Sequence, residues 1–518
     1  MKTYVGIDFG ACDIKATKIS PQTRRVQTVK LNMNMAGSSA LPAVIFYDKI
    51  KDNVEVKVGD GAKSSFDLDN KVSRIMPKVA RKAWSKFIPN LDREISAADA
   101  LTDMLAKIWK HIARQAAKDE NFDVTITVPA AFSEVQKKII KQAAINADVP
   151  ISSIITAPFA EIFSCDEFFS NDEFFKTDAA QIVLIFDFGG TALNVNLFKL
   201  ERTAKTFAVT ELSAATLNYG GTNIDYGIFL NIFLKKYTDT INKVFADDKA
   251  GYELIALIEK MKEEIFLDEE DSSGGSLIDD KGNFYEFELT RQEVFSAIEL
   301  DGVKDKITAM LDDVLDDAGI APSDVNLVKV FGGTSSIDYF LDVLEKYFGE
   351  EIFCAEDFER DGITNGAAIG AAKYRYMTDE ENLRVKVKNI VPCGIYVLRG
   401  DKFFRCIKRN ELRGFVTPYK PILIDELKKN HWHVSFYQSY CNEAELPAAG
   451  DDAVFLGDIR LDSHLYTSTQ AILFKMNVNA AGQLCVKFFE DVTVNGRSKI
   501  TLVEEKILHP GRVRGIKN

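Results

Sequence analysis

The chain contains no C-x-x-C pair. Its seven cysteines are scattered and odd in number, so neither a disulfide framework nor a thiolate zinc site is indicated. It also lacks an excess of positive charge: 64 Lys and Arg face 77 Asp and Glu, for a net charge of −13 and a pI near 5.2. That balance argues against non-specific nucleic-acid binding and against an anionic membrane surface, both of which need basic patches. No apolar run approaches the roughly 20 residues of a membrane span. The opening MKTYVGIDFG runs into a strand pattern rather than a signal peptide. The expectation is a reduced, cytoplasmic protein without nucleic-acid or membrane partners.

The chain does have room for several cores, with 518 residues that are 46% apolar and 27% charged. Its most informative stretch is Gln181 to Leu200, QIVLIFDFGGTALNVNLFKL. An apolar run over Ile182 to Phe186, a Gly-Gly turn and alternating Leu193, Val195 and Leu197 predict a hairpin. Gly189 and Gly190 remove the Cβ atoms that keep a backbone away from a ligand, and successive N–H groups in such a turn suit a phosphate. Asp187, ending the strand, is placed to hold water on a Mg²⁺ ion that bridges phosphates. An ordinary core hairpin would share this pattern. However, Val5 to Ile19, VGIDFGACDIKATKI, repeats the grammar with Asp8 and Gly10. Two such units in successive domain-sized segments predict a duplicated α/β fold closing on a nucleotide.

Along the chain, Leu101, Met104, Leu105, Ile108, Trp109 and Ile112 form a helical stripe within Ala97 to Lys118. Val124 to Pro129 reads as a buried strand. The near-repeat DEFFSNDEFFKTD (Asp166 to Asp178) reads either as a partner-binding loop or as a local helix with buried phenylalanines. From Ile390 onward short alternating segments such as WHVSFYQSY and ILFKMNVNAAGQLCVKFFED predict an antiparallel β-sandwich.

Several segments resemble the heat shock protein 70 (DnaK-type) chaperone family, in the family's order. They are VTITVPAAFSEVQKKIIKQAAINADV (Val124 to Val149), IFDFGGTALNV, NYGGTNID (Asn218 to Asp225), VKVFGGTSSI (Val328 to Ile337) and NGAAIGAA (Asn365 to Ala372). The resemblance implies an actin-like (ribonuclease H-like, duplicated) ATPase domain over residues 1–378, with lobes of about 1–180 and 181–378. An interdomain linker follows at 379–389, then a β-sandwich peptide-binding-like domain over 390–518, without the family's helical lid. It implies ATP or ADP with Mg²⁺ as cofactors. Its partners would be unfolded or extended polypeptide segments, with J-domain and nucleotide-exchange co-chaperones as further candidates.

By the same resemblance, the phosphate cradle is Gly10, Ala11, Cys12, Gly189, Gly190, Thr191, Gly220, Gly221, Gly332 and Gly333. Asp8 and Asp187 are the metal-anchoring carboxylates. Glu259 and Lys262 lie where the family reaches the ribose, and Lys78 is the candidate general-base lysine. Other positions depart from the family. Ala11 replaces a threonine, Ala157 a glutamate before Pro158, Ala192 a threonine and Asn194 an aspartate; Glu263 and Ser336 replace arginines. One lost preorganised group typically costs ~10²–10³ in rate, so weakened nucleotide binding and very slow or absent hydrolysis are expected. Two functions stay open: an ATP-dependent chaperone, and a non-hydrolysing scaffold built on the same fold.

Overall fold

The computed structural model describes residues 2–508 except 32–38, 52, 66, 81–83, 115–119, 131, 133, 171–179, 204, 245–247, 268, 280, 354–359, 382, 392–393, 440–443, 448–452, 467–470, 480–482 and 495–496. The chain divides into two compact units: residues up to Val385, apart from two short segments, and Lys386 onward. Each is mixed in a different way. The first alternates strands and helices; the second is almost entirely strand.

In the first unit, strand Lys2–Phe9 is buried at every position but Lys2 and Asp8, because both its faces are covered. It runs antiparallel to Asp13–Ile19 and parallel to Asn121–Val128, which in turn pairs parallel with Ile151–Thr156. A second sheet repeats this arrangement. Gln181–Phe188 runs antiparallel to Leu193–Thr203 and parallel to Leu327–Phe331. In each sheet the strand bearing the acidic residue thus lies between its hairpin partner and a parallel neighbour. The expected stripe forms helix Ala97–Arg114, which buries Leu101, Met104, Leu105, Ile108 and Ile112. Trp109 stays partly exposed, packed edge-on to Phe122 at 5.2 Å. Of the phenylalanine-rich near-repeat, Glu167–Ser170 is a short helix with Phe168 fully buried, as the local-helix reading expects. Its remainder, 171–178, lies outside the described residues.

Helix Arg360–Asp379 covers the first sheet. Its small residues allow close approach: a Cβ on Gly370 would overlap the Ala160 carbonyl, and one on Gly6 the backbone of Ala368 and Ala372. Ala372 and Tyr376 pack on Tyr4 and Ile19. The Tyr4 hydroxyl donates to Asp379, Lys2 bridges Asp379 and Asp123, and Arg375 pairs with Asp123 at 2.9 Å.

The second unit has a five-stranded sheet ordered Glu445–Pro447, Lys402–Ile407, Gly394–Arg399, His433–Ser439, Val454–Arg460, and a four-stranded one ordered Lys420–Leu423, Ala471–Val478, Leu484–Val494, Arg497–Leu508. The inward residues of both, among them Val397, Phe436 and Ile459 from one and Phe474, Met476 and Phe488 from the other, form one core. A short helix, Ile424–Lys429, interrupts the strands and adds Ile424 and Leu427 to that core. Among the described residues, no helix is long and apolar enough to cross a membrane.

Candidate active site of the first unit

The two hairpins bring their turns together. Asp8 sits opposite Lys15 across the first, and Asp187 opposite Asn194 across the second. Cys12, in the first turn, leans on Gly190 in the second, where an added Cβ would overlap its Sγ. Burial pushes the Cys12 thiol up to about 11, so it is an apolar filler here rather than a nucleophile.

The second turn is held from behind. The N–H groups of Gly221 and Thr222, which open helix Gly221–Ile228, donate to the carbonyls of Gly189 and Gly190. The Thr334 hydroxyl also donates to the Gly189 carbonyl, at 2.9 Å. In a trans peptide the N–H points opposite to the carbonyl. The N–H groups of Gly190 and Thr191 therefore point away from that helix. Gly220 must be glycine, because a Cβ would collide with the turn's backbone. Gly332, at φ +88°, takes a left-handed conformation in which an added Cβ would overlap the Phe188 carbonyl and the Asp187 carboxylate. A Cβ on Gly333 would meet nothing within 4 Å, so that side of the site is open.

Asp8 accepts a 2.6 Å hydrogen bond from the Thr127 hydroxyl. Asp187 accepts one from the Asn194 amide, which is fixed in turn by the Thr216 hydroxyl. Both carboxylates are recessed yet keep part of their surface open. Burial raises the pKa of each. Asp187 reaches about 6, with Asp8 adding repulsion and the Asn194 bond and Lys15 opposing it; Thr127 and Lys15 restrain Asp8. Lys15 also donates to the Thr364 carbonyl at 2.6 Å. A third carboxylate, Glu161, lies 2% exposed on helix Ala157–Ser164. Burial pushes its pKa well up, followed by repulsion from Asp187 and then Asp8.

The other candidates lie further out. The Lys78 amine donates to the Ser73 carbonyl at 2.5 Å and stands over the Trp84 ring; the cation whose field reaches both aspartates is Lys15. Lys262 is buried against Asp225 at 2.6 Å and also donates to the Gly221 carbonyl. Glu259 is partly exposed and faces Lys63 at 3.6 Å. Ser336 is buried, its hydroxyl without a hydrogen-bond partner.

Glu161, Lys15, Thr127 and Thr334 were not foreseen from sequence. Only Lys15 left a signal: it follows Asp8 by the same seven positions that separate Asn194 from Asp187, so overlaying the two hairpins would have found it.

The sequence model of the Hsp70 protein family matches residues 4–419. Among similar proteins, the chaperone protein DnaK of Thermotoga petrophila is 23% identical over 465 residues, covering 88% of this chain and 73% of its own length. The DnaK of Thermosipho melanesiensis is 23% identical over 470 residues, covering 89% and 73%. That of Nitrosopumilus maritimus is 26% identical over 386 residues, covering 72% and 56%. Because the match runs from the first hairpin through the second and on past the helix that covers the first sheet, the chain belongs to the Hsp70 family.

Proposed function

We propose that the chain is an Hsp70-like chaperone that binds ATP or ADP with Mg²⁺ in its first unit and extended polypeptide in its second. In this reading residues 1–378 are an actin-like duplicated nucleotide-binding domain, 379–389 a linker, and 390–518 a peptide-binding β-sandwich. The observation that carries it is the convergence of two equivalent hairpin turns, each ending in a recessed aspartate. The outward-turned N–H groups of Gly190 and Thr191 and the open side at Gly333 fit a phosphate chain. Gly10, Ala11, Cys12, Gly189, Gly220, Gly221 and Gly332 complete the cradle, Gly10, Gly220, Gly221 and Gly332 by letting its backbone segments pack closely on one another. Asp8 and Asp187 suit the water shell of the cation, which when bound would neutralise phosphate charge. Glu259 and Lys262 border the nucleoside side, Lys262 by clamping the Gly221 turn to Asp225.

Hydrolysis should be weak or absent. Ala157 and Ala192 offer no polar atom to orient a water, Asn194 binds Asp187 as a neutral amide, and Lys78, the candidate base, is bonded within its own segment. In the second unit, Val416 and Tyr419 are exposed apolar side chains on the connection into strand Lys420–Leu423. They suit an extended segment held by backbone pairing and side-chain pockets. J-domain and nucleotide-exchange proteins are candidate partners. The locked Asn194–Asp187 bond favours a second reading, a non-hydrolysing scaffold that only senses nucleotide.

Calorimetric titration of ATP with Mg²⁺ tests the binding, with a micromolar or tighter constant expected; no heat and no shift in melting temperature would refute it. Phosphate release with and without a J-domain protein separates the readings, since stimulated turnover would retire the scaffold.

A further inference from the structure

Strand Ala471–Val478 alternates strictly, with Ile472, Phe474, Met476 and Val478 turned into the core of the second unit. The opposite face of such a sheet is ordinarily polar. Here the strand register makes it apolar. Leu473 pairs with Pro421 on one side and Phe489 on the other, and Phe489 pairs with Leu502. Directly paired residues share a face, so Pro421, Leu473, Phe489 and Leu502 form one row across all four strands without a polar side chain. Tyr419 stands at its rim, edge-on to Phe489 at 5.1 Å. On the same face Leu423, Leu502 and Ile507 are 49%, 48% and 46% exposed. The five-stranded sheet treats its outward residues differently: Tyr396, Phe403 and Leu446 form a separate buried cluster.

A contiguous apolar patch left open in this way marks an interaction site, and its shape limits what it can take. The strands beneath it spend their backbone groups on one another, so the face offers no ladder to an extended peptide. Another sheet face, packed ~10 Å away, is what fits a flat, row-patterned surface. The adjoining row is charged, with Lys475 paired to Lys487 and Lys487 to Glu505. Lys487 and Glu505 lie 3.5 Å apart. The Lys475 amine stands 3.9 Å over the Tyr419 ring and has no carboxylate partner among the described residues.

We propose that this face is where two copies of the chain meet. A two-fold axis running along strand Leu484–Val494, between two such faces, exchanges the strands on either side of it. Phe489 then meets its counterpart, and Leu473 of each copy meets Leu502 of the other. Lys475 of each copy meets Glu505 of the other and so gains the carboxylate it lacks. Lys487 lies on the axis, kept beside Glu505 of its own chain. The surface is thus its own complement in apolar row and in charge, as an isologous contact requires. A patch four strands wide and eight residues long presents roughly 500 Å² at the usual strand and residue spacings. That falls short of the ~800 Å² per partner in a standard interface, so the dimer is weak and concentration-dependent. The inference does not rest on nucleotide or peptide binding.

Sedimentation equilibrium of the full chain, 57.9 kDa, tests it. The mass should approach twice that value as concentration rises through about 10–100 μM, the range for a small interface. Leu502→Glu, at an exposed position, enters the contact twice and should weaken association about 100-fold or more with the melting temperature unchanged. Lys475→Glu and Glu505→Lys should each weaken self-association. An equimolar mixture of those two variants should restore a dimer, because every 475–505 pair across the axis is again of opposite charge. A chain that stays monomeric throughout, a dimer that Leu502→Glu leaves intact, or a mixture that fails to associate would each overturn the proposal. So would a monomer in which Leu502→Glu weakens capture of an apolar peptide, which would assign the face to a client.

Discussion

The buried pair Lys262–Asp225 gives the sharpest prediction. Lys262 is 8% exposed and Asp225 4%, and their charged atoms are 2.6 Å apart. The same amine donates to the Gly221 carbonyl at 3.2 Å, so it ties helix Asp248–Leu267 to the start of helix Gly221–Ile228. Replacing Lys262 with Met leaves Asp225 charged, buried and alone. Breaking a buried pair in this way costs ~3–5 kcal/mol. Replacing both, as Lys262→Met with Asp225→Leu, should recover most of that, because the desolvation penalty goes with the charges. The loss should also depend on pH. Burial already raises the Asp225 pKa against the pull of Lys262, and without the lysine it must rise further. An acid whose folded pKa is raised holds its proton more tightly when folded, so the variant loses stability as pH climbs above the unfolded value near 4. The deficit against wild type should therefore be small near pH 5 and full by pH 8. Urea unfolding of the nucleotide-free protein measures it. A Trp432→Phe background leaves Trp84 and Trp109 to report on the first unit. A loss below about 1 kcal/mol, or one that is flat with pH, would refute the reasoning.

Gly332→Ala should cost about 2 kcal/mol or more, from the left-handed backbone and the collision with Phe188 and Asp187; Gly333→Ala, entering open space, should stay within ~0.5 kcal/mol yet weaken nucleotide binding in the same titration. Asn194→Asp places an anion against Asp187 and removes its donor, so calorimetry should show a lower melting temperature without Mg²⁺ and a larger recovery with it than in wild type. Phe436→Ala, at a fully buried position of the shared core, should destabilise the second unit by ~3–5 kcal/mol, and hydrogen exchange should show the loss confined to residues after Lys386.

The hairpins were legible because their signals are local. Apolar runs, turn glycines and period-2 alternation marked both hairpins, although the first strand begins at Lys2 rather than Val5 and the last runs to Thr203, past Leu200. Asp8 and Asp187 could be placed for the same reason, each next to its turn. Alternation likewise marked the strands after Ile390, though helix Ile424–Lys429 was hidden in a segment too short to show a helical period. Glu161 was illegible: one acid in APFAEIFS looks like a solvated position, and only the tertiary cover makes it buried. The bond between Lys262 and Asp225 spans 37 residues, and no pattern in either segment points to the other. Lys78 lies beyond the reach of sequence in another way, since its amine is turned to a carbonyl five residues back.

The cover on the first sheet comes from far along the chain. Tyr4 and Ile19 pack on Ala372 and Tyr376, and Lys2 and Tyr4 bind Asp379. During synthesis at ~5–20 residues per second, these early strands wait roughly 20–75 s before the helix that seals them exists. Until then a twisted apolar sheet with a bare face leaves the ribosome, a species that itself needs shielding from aggregation. A protein of a chaperone family thus emerges, for most of its own translation, as a client.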